Sequence, residues 1–291
     1  MTIDPTWLSA FLRDERLPAE FAVQVETLHA PLAARIAAVA MGPAFVVGIC
    51  GPQGSGKTTT ARVVARLLEA RGLKVASLSL DDLYLPRADR EVLARDAHPL
   101  LRTRGVPGTH DAALGLAVLD DLAGEGETAI PRFDKAADDR MPASAWTKVE
   151  GPVDVVLLEG WCVGAWPEPV EALRKPVNAL ERDLDPDGAW RAYVNAALAG
   201  PYRALFARLD LLVQFTAPDF ESVLAWRQEQ EAKLRGRLAA SGQGSERAMS
   251  DDEIAVFVQH YERLTRHVAR EMPARADLVI ALDAHRRSTN P

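Results

Sequence analysis

Five short runs along the chain are apolar without polar alternation: Phe45–Cys50, Val75–Leu80, Val153–Leu158, Leu211–Phe215 and Leu278–Leu282. A strand with one wet face alternates apolar and polar residues, whereas an unbroken Val/Leu-rich run is buried on both faces. Helical patterns fall between them, at Lys57–Ala70, Ala112–Leu122, Trp190–Phe206, Asp219–Leu238 and Ser250–Arg270. This alternation predicts an α/β fold, a three-layer sandwich with a central, mainly parallel five-stranded sheet and right-handed crossovers.

Residues 1–43 read as a helical extension. Phe21, Val25 and Leu28 share one face, Leu32, Ile36 and Val39 continue it, and Pro31 kinks or divides the element. Residues 44–291 then form the main domain, with an insertion at about 84–150 and a helical lid region at about 226–250. The last long helix starts on a capping box, Ser250 with Glu253, and lines one face with Ile254, Phe257, Tyr261, Leu264 and Val268. Ala239–Ala248, with Ser241, Gly242, Gly244 and Ser245, reads as a mobile loop.

Charge and composition narrow the classes. A formal net charge of -7, from 34 basic and 41 acidic residues, gives no footprint for nucleic acid, so any anion site is local. The two cysteines, Cys50 and Cys162, offer neither metal spacing nor a disulfide framework, which points to a reducing cytoplasm. Charges at Asp4, Arg13, Asp14, Glu15 and Arg16 break any signal-peptide core. Ile36–Gly56 holds no charge, yet Gly42, Pro43, Gly48, Gly51 and Pro52 punctuate it, so it reads as helix end, strand and loop rather than a membrane span.

The loop after the first strand carries the chemistry. Gly51-Pro52-Gln53-Gly54-Ser55-Gly56-Lys57-Thr58 is a full Walker A sequence between a strand and a helix, which defines a P-loop NTPase fold. Its glycines let successive N–H groups face one anion, and the helix N-terminus adds more. Gly51, Gln53, Gly54, Ser55, Gly56, Lys57, Thr58 and Thr59 are therefore expected to hold ATP, with Lys57 on the β- and γ-phosphates and Thr58 on Mg²⁺. Glu159, ending the Val153–Leu158 run, suits a Mg²⁺ partner. Asp81, closing the Val75–Leu80 strand, is placed to orient or deprotonate an acceptor hydroxyl. Its neighbour Asp82 is an alternative base or a holder of a Mg²⁺ water.

Two irregular, cation-rich segments follow, His98–Asp111 and Pro131–Lys135. They offer His98, Arg102, Arg104, His110, Arg132 and Lys135 as contacts to a substrate, in loops at the strand C-termini. Arg forks suit a carboxylate, and a neutral nucleoside needs no such partner, so a small anion is expected. In Trp226–Arg237, Arg227, Glu231 and Arg235 fall near one another as a surface ion-pair ladder. Alternatively Arg227 or Lys233 closes on the phosphates as part of a lid.

Together these motifs resemble the phosphoribulokinase/uridine kinase group of P-loop kinases. The runs His98–Asp111, Pro131–Lys135, Leu158–Ala165, Pro176–Glu181, Trp226–Leu234 and Met249–His267 more narrowly resemble the D-glycerate 3-kinase family. That resemblance implies transfer of the ATP γ-phosphate to D-glycerate, giving 3-phosphoglycerate. It implies Asp81 as general base, Glu159 at Mg²⁺ and Arg227 or Lys233 as the lid cation. Kinases of uridine or pantothenate, and a regulatory ATP-binding module, remain alternatives. No membrane partner is implied, and nothing selects between monomer and homodimer.

Overall fold

A computed structural model of the chain describes residues 4–240 and 249–289. Five strands, β1 (Phe45–Cys50), β2 (Val75–Ser79), β7 (Val155–Gly160), β8 (Leu211–Thr216) and β9 (Leu278–Ala281), form one sheet in the order β2-β7-β1-β8-β9. Every pairing in that sheet is parallel. The expected α/β P-loop NTPase architecture is thus what the chain adopts. Val47, Ile49, Val155 and Leu157 pack into one apolar layer, and Val46, Cys50, Val156 and Leu158 into the other. In β1 and β7 the absence of polar alternation follows from this covering of both faces, whereas the edge strand β2 alternates, with Ser77 exposed between Ala76 and Leu78.

One face is covered by α4 (Lys57–Glu69) and the N-terminal helices α1 (Pro5–Asp14), α2 (Phe21–Gln24) and α3 (Ala30–Val39). Between α2 and α3 the chain takes a π-helical turn, Val25–His29, and Pro31 lies in the first turn of α3. Proline lacks an N–H and is tolerated in a first turn, so the division expected at Pro31 falls one helical turn earlier. The uncharged run Ile36–Gly56 is the end of α3, then β1 and the P-loop. Among the described residues no helix is long and apolar enough to cross a membrane.

The insertion is more ordered than its composition implies. It contains α5 (Arg87–Asp96), α6 (Ala112–Ala123), an antiparallel pair β3 (Gly126–Ile130) and β6 (Thr147–Gly151), and a two-residue pair β4 (Phe133–Asp134) and β5 (Asp139–Arg140). His98–Asp111 is irregular, as expected, apart from one 3₁₀ turn at Pro99–Arg102, but Leu101, Val106, Thr109 and His110 are buried.

Beyond β7, α7 (Ala179–Leu184) leads to the expected Trp190–Phe206 helix. That helix is two, α8 (Ala189–Ala199) and α9 (Pro201–Phe206), because Gly200-Pro201 stops the first and starts the second. The lid-region helix α10 is Phe220–Ala240, and the loop expected after it lies, for residues 241–248, outside the described residues. The capping box at Ser250 and Glu253 is present and opens α11 (Asp251–Phe257), which α12 (Gln259–Glu271) continues.

Candidate active site

The P-loop leaves β1 at Cys50 and enters α4 at Lys57. Ser55 N–H closes a turn onto the Pro52 carbonyl (3.2 Å), with Gly54 at φ +79° in its third position. That conformation belongs to glycine. A Cβ on Gly54 would also lie 2.5 Å from the Cβ of Trp226 on α10. Ser55 Oγ and Gln53 Oε1 are buried without a partner among the described residues. Polar atoms left this way inside a glycine-rich nest fit an absent ligand better than a finished core.

Beside the loop, Thr58 Oγ1 donates to Glu159 Oε1 (3.0 Å), and Ser79 Oγ donates to the same oxygen (2.9 Å). Thr58 thereby spends its proton on Glu159 and keeps its lone pairs for a cation. Glu159 is the penultimate residue of β7 rather than the residue after it, and is buried. One carboxylate and one hydroxyl are hard donors of the kind Mg²⁺ takes when phosphates supply the remaining ligands. Among the described residues no three acidic, His or Cys side chains gather into a group that could hold a metal ion. Ser79 was not singled out in the sequence; its position two residues before Asp81 was the available signal.

Asp81 follows directly in a 3₁₀ turn. Tyr84 donates to its Oδ1 (2.9 Å) and Lys135 Nζ to its Oδ2 (2.6 Å). Burial alone would raise its pKa, but the charges of Lys135 and Lys57 and the two hydrogen bonds outweigh it and hold the carboxyl below its ordinary range. Asp82 behaves differently. Its Oδ2 accepts from Arg132 (2.9 Å), its Oδ1 from the N–H of Phe133 (3.1 Å), and burial raises its pKa. Asp82 is thus placed as a clasp on the Pro131–Lys135 segment, with both oxygens occupied, rather than on the Thr58–Glu159 pair.

The remaining cations divide. Arg104 stacks over Phe133 (5.4 Å to the ring centroid), bonds Asp138, and lends its carbonyl to the Tyr261 hydroxyl (3.0 Å). Burial first, then the Asp81 charge, raises the Tyr261 pKa. Arg227 lies on this same wall. Its charge reaches Tyr261, it sits over Phe257 (5.8 Å) and it pairs with Glu231 (2.6 Å). Lys233 instead pairs with Glu229, 58% exposed. Arg235 leaves the expected ladder for Asp251 and the Met249 carbonyl. Arg102 pairs with Glu91 on the surface, 66% exposed. His98 caps its own 3₁₀ turn through Nδ1 and lies 3.8 Å from Asp185. Arg102, His98 and Lys233 are therefore not brought to Asp81.

His110 is brought close and its tautomer is determined. The Tyr202 hydroxyl accepts from the N–H groups of Gly108 (3.0 Å) and His110 (3.2 Å), so its own proton goes to His110 Nδ1 (2.5 Å). The imidazole proton then sits on Nε2, which is buried with no partner among the described residues. Burial pushes its pKa down to about 3, against the pull of Asp81, so the ring is neutral. It stacks on Tyr84 at 4.5 Å.

Two arginines hold these loops together, and sequence reasoning gave neither that role. Arg90, fully buried on α5, donates to the carbonyls of Leu85, Arg102 and Asp138. Arg140 donates to the carbonyls of Leu83 and Tyr84 and to Asp111. A guanidinium with five donors suits loop carbonyls that no strand satisfies.

No family model matches the chain. Among curated proteins it is similar to an uncharacterised kinase of Schizosaccharomyces pombe, 34% identical over 229 residues, covering 76% of this chain and 79% of that protein. The chain belongs to the P-loop kinases related to D-glycerate 3-kinase. The chloroplastic D-glycerate 3-kinase of Arabidopsis thaliana is 34% identical over 230 residues, 75% of this chain but 46% of that longer protein. Among solved structures, a D-glycerate 3-kinase from Cryptococcus neoformans var. grubii aligns with a TM-score of 0.72 and 26% identity, over 94% of this chain and 98% of that one. The chain is thus an ATP-dependent kinase, and the P-loop, Glu159 and Asp81 lie at the C-terminal ends of three adjacent strands of its sheet, β1, β7 and β2.

Proposed function

We propose that this kinase transfers the γ-phosphate of ATP–Mg²⁺ to a hydroxyl of a small hydroxy acid, D-glycerate first, giving 3-phosphoglycerate. The observation that carries the reading is the Asp81–Lys135 ion pair (2.6 Å), set between the Thr58–Glu159 pair and the Arg104–Tyr261 wall. The names of the relatives in Arabidopsis and Cryptococcus support the acceptor.

The P-loop N–H groups and Lys57 would hold the triphosphate, and Thr58 and Glu159 would hold Mg²⁺, which would supply positive charge against the phosphates. Lys135 is 62% exposed, so it is free to leave Asp81 for an arriving anion. The exchange matters, because a carboxylate held below its ordinary pKa is a weak base. With Lys135 turned to the acceptor carboxylate alongside Arg104, Asp81 accepts the acceptor hydroxyl and aims it at the γ-phosphorus. In a loose transition state the proton leaves late, so orientation is the larger contribution. His110 offers its Nε2–H as a neutral donor beneath Tyr84, and Arg227 supplies charge from the α10 side.

The test is acceptor-dependent ADP release with D-glycerate, L-glycerate, glycerol, uridine and pantothenate under one set of conditions. D-glycerate is expected to be turned over best and glycerol very poorly, because glycerol leaves a desolvated cation without its partner. Equal turnover of glycerol, or a response to uridine alone, overturns the reading.

A further inference from the structure

The residues after β9 were given no part in the site, yet they reach the P-loop. Arg286 Nε donates to the carbonyl of Gly54 (2.7 Å), and its other arm donates to Glu229 on α10 (2.6 Å). Its guanidinium lies over the Trp226 ring at 5.5 Å, and Trp226 Nε1 donates back to the Ala284 carbonyl (2.7 Å). Trp226 is in turn the residue that packs against the Gly54 backbone. Arg286 has a φ of +63°, a conformation uncommon outside glycine and asparagine. Asp283 braces the turn by accepting from the N–H groups of His285 (2.8 Å) and Arg287 (2.9 Å). An unusual backbone held by several independent contacts is a feature the surrounding structure maintains.

In an anion nest the N–H groups face the anion, so the loop's carbonyl oxygens need donors on the other side. An unheld carbonyl that turns inward opposes the phosphate. Gly54, like Gly51 and Gly56, has no side chain to restrain its peptide, and Arg286 gives its oxygen a charge-assisted partner. We propose that Arg286 is a positioning residue for nucleotide binding, fixing the Gly54 peptide and tying the P-loop to α10 through Trp226 and Glu229. The inference concerns nucleotide affinity and is independent of which acceptor is used.

Titration calorimetry of ADP–Mg²⁺ into Arg286→Ala, Arg286→Lys and Trp226→Phe reads the effect directly, beside the melting temperature without ligand and the acceptor KM at saturating ATP. Arg286→Ala is expected to bind ADP roughly tenfold more weakly, a loss of about 1.4 kcal/mol, with the acceptor KM within about twofold. Arg286→Lys recovers part of the loss, since a single ammonium serves Gly54 or Glu229 but lacks the planar fork. ADP affinity within about twofold of the parent overturns the proposal. So does a matched loss in ADP affinity, acceptor KM and ligand-free melting temperature, which marks Arg286 as a prop of the fold alone. If Arg286→Ala does not fold, Trp226→Phe decides, because it keeps an aromatic ring beneath the guanidinium while removing the bond to Ala284 and part of the indole volume, the ligand-free melting temperature reporting the packing part. A roughly threefold weaker ADP affinity supports the latch and an unchanged one overturns it.

Discussion

The nucleotide side and the proposed acceptor side of this site are built by different means. On the nucleotide side Gly51–Thr58 lie in one continuous stretch, and local backbone conformation, Gly54 at φ +79° and Gly56 at φ +87°, shapes the nest. On the acceptor side Asp81, Arg104, His110, Lys135 and Tyr261 come from distant parts of the chain and are gathered by ion pairs and loop carbonyls. A site built from one stretch reads out of a sequence by spacing. A site gathered by long-range pairs shows its residue types there but not its pairings. The same difference governs how each side responds to substitution.

Lys57→Ala should have the largest effect. It removes the charge nearest the transferred phosphate while every strand of the sheet stays intact, so kcat should fall about 10³-fold or more. Folding, followed by circular dichroism and melting temperature, should be unaffected. Near-parental turnover in a folded Lys57→Ala protein would detach the P-loop from the chemistry and end the comparison at once.

Asp81→Asn comes next. The amide keeps the shape and the Tyr84 bond but loses the charge that holds Lys135. ADP binding should persist, and kcat should drop towards the lower end of the usual 10²–10⁴ range, about 10²-fold, because in a loose transition state orienting the hydroxyl is the larger part of what Asp81 supplies. Asp82→Asn tests the neighbour. As a clasp on Arg132 and Phe133 it should raise the acceptor KM roughly tenfold and leave the Mg²⁺ dependence unchanged. A shifted Mg²⁺ requirement would return Asp82 to the metal.

The structure also explains what the sequence left hidden. The five strands were legible because burial in the sheet leaves few polar residues in each run, and α4 was legible because its apolar residues recur at helical spacing behind the P-loop. The α5 helix was missed because its buried residues are only Ala94 and the charged Arg90, and three of Arg90's partners are backbone carbonyls that have no letter in the sequence. Arg102 and Arg104 look alike in the run Arg102-Thr103-Arg104, yet the first pairs with Glu91 on the surface and the second stacks on Phe133 beside the site. Arg102→Ala should therefore change acceptor KM by less than about twofold, since an exposed pair contributes little. Arg104→Ala should raise it well beyond that.

The pH dependence gives the finest discrimination, through Lys135→Met. In the parent protein Asp81 has a depressed pKa, so it is ionised across the working range and lowering the pH through the ordinary carboxylate region leaves it charged. Whatever stability its ionised form gives is present above the unfolded carboxylate value, near 3.8, and is lost only as the pH falls through the lower folded value. The methionine variant removes the main opposing charge and leaves burial, which acts upward, with only Lys57 and Tyr84 against it. The Asp81 pKa must then rise, and the acid limb of kcat/KM must move to higher pH. A pH–rate profile between about pH 4 and 9, taken with Asp81→Asn as the variant that has no carboxylate to titrate, reads this directly. His110, with its pKa pushed down to about 3 by burial, stays neutral over that interval and adds no limb of its own. An acid limb that stays in place in Lys135→Met, while the acceptor KM rises, would mean that Lys135 serves the acceptor carboxylate alone and that the Asp81 environment is set by Lys57 and the P-loop. That result would move Asp81 from the gathered side of the site to the contiguous one.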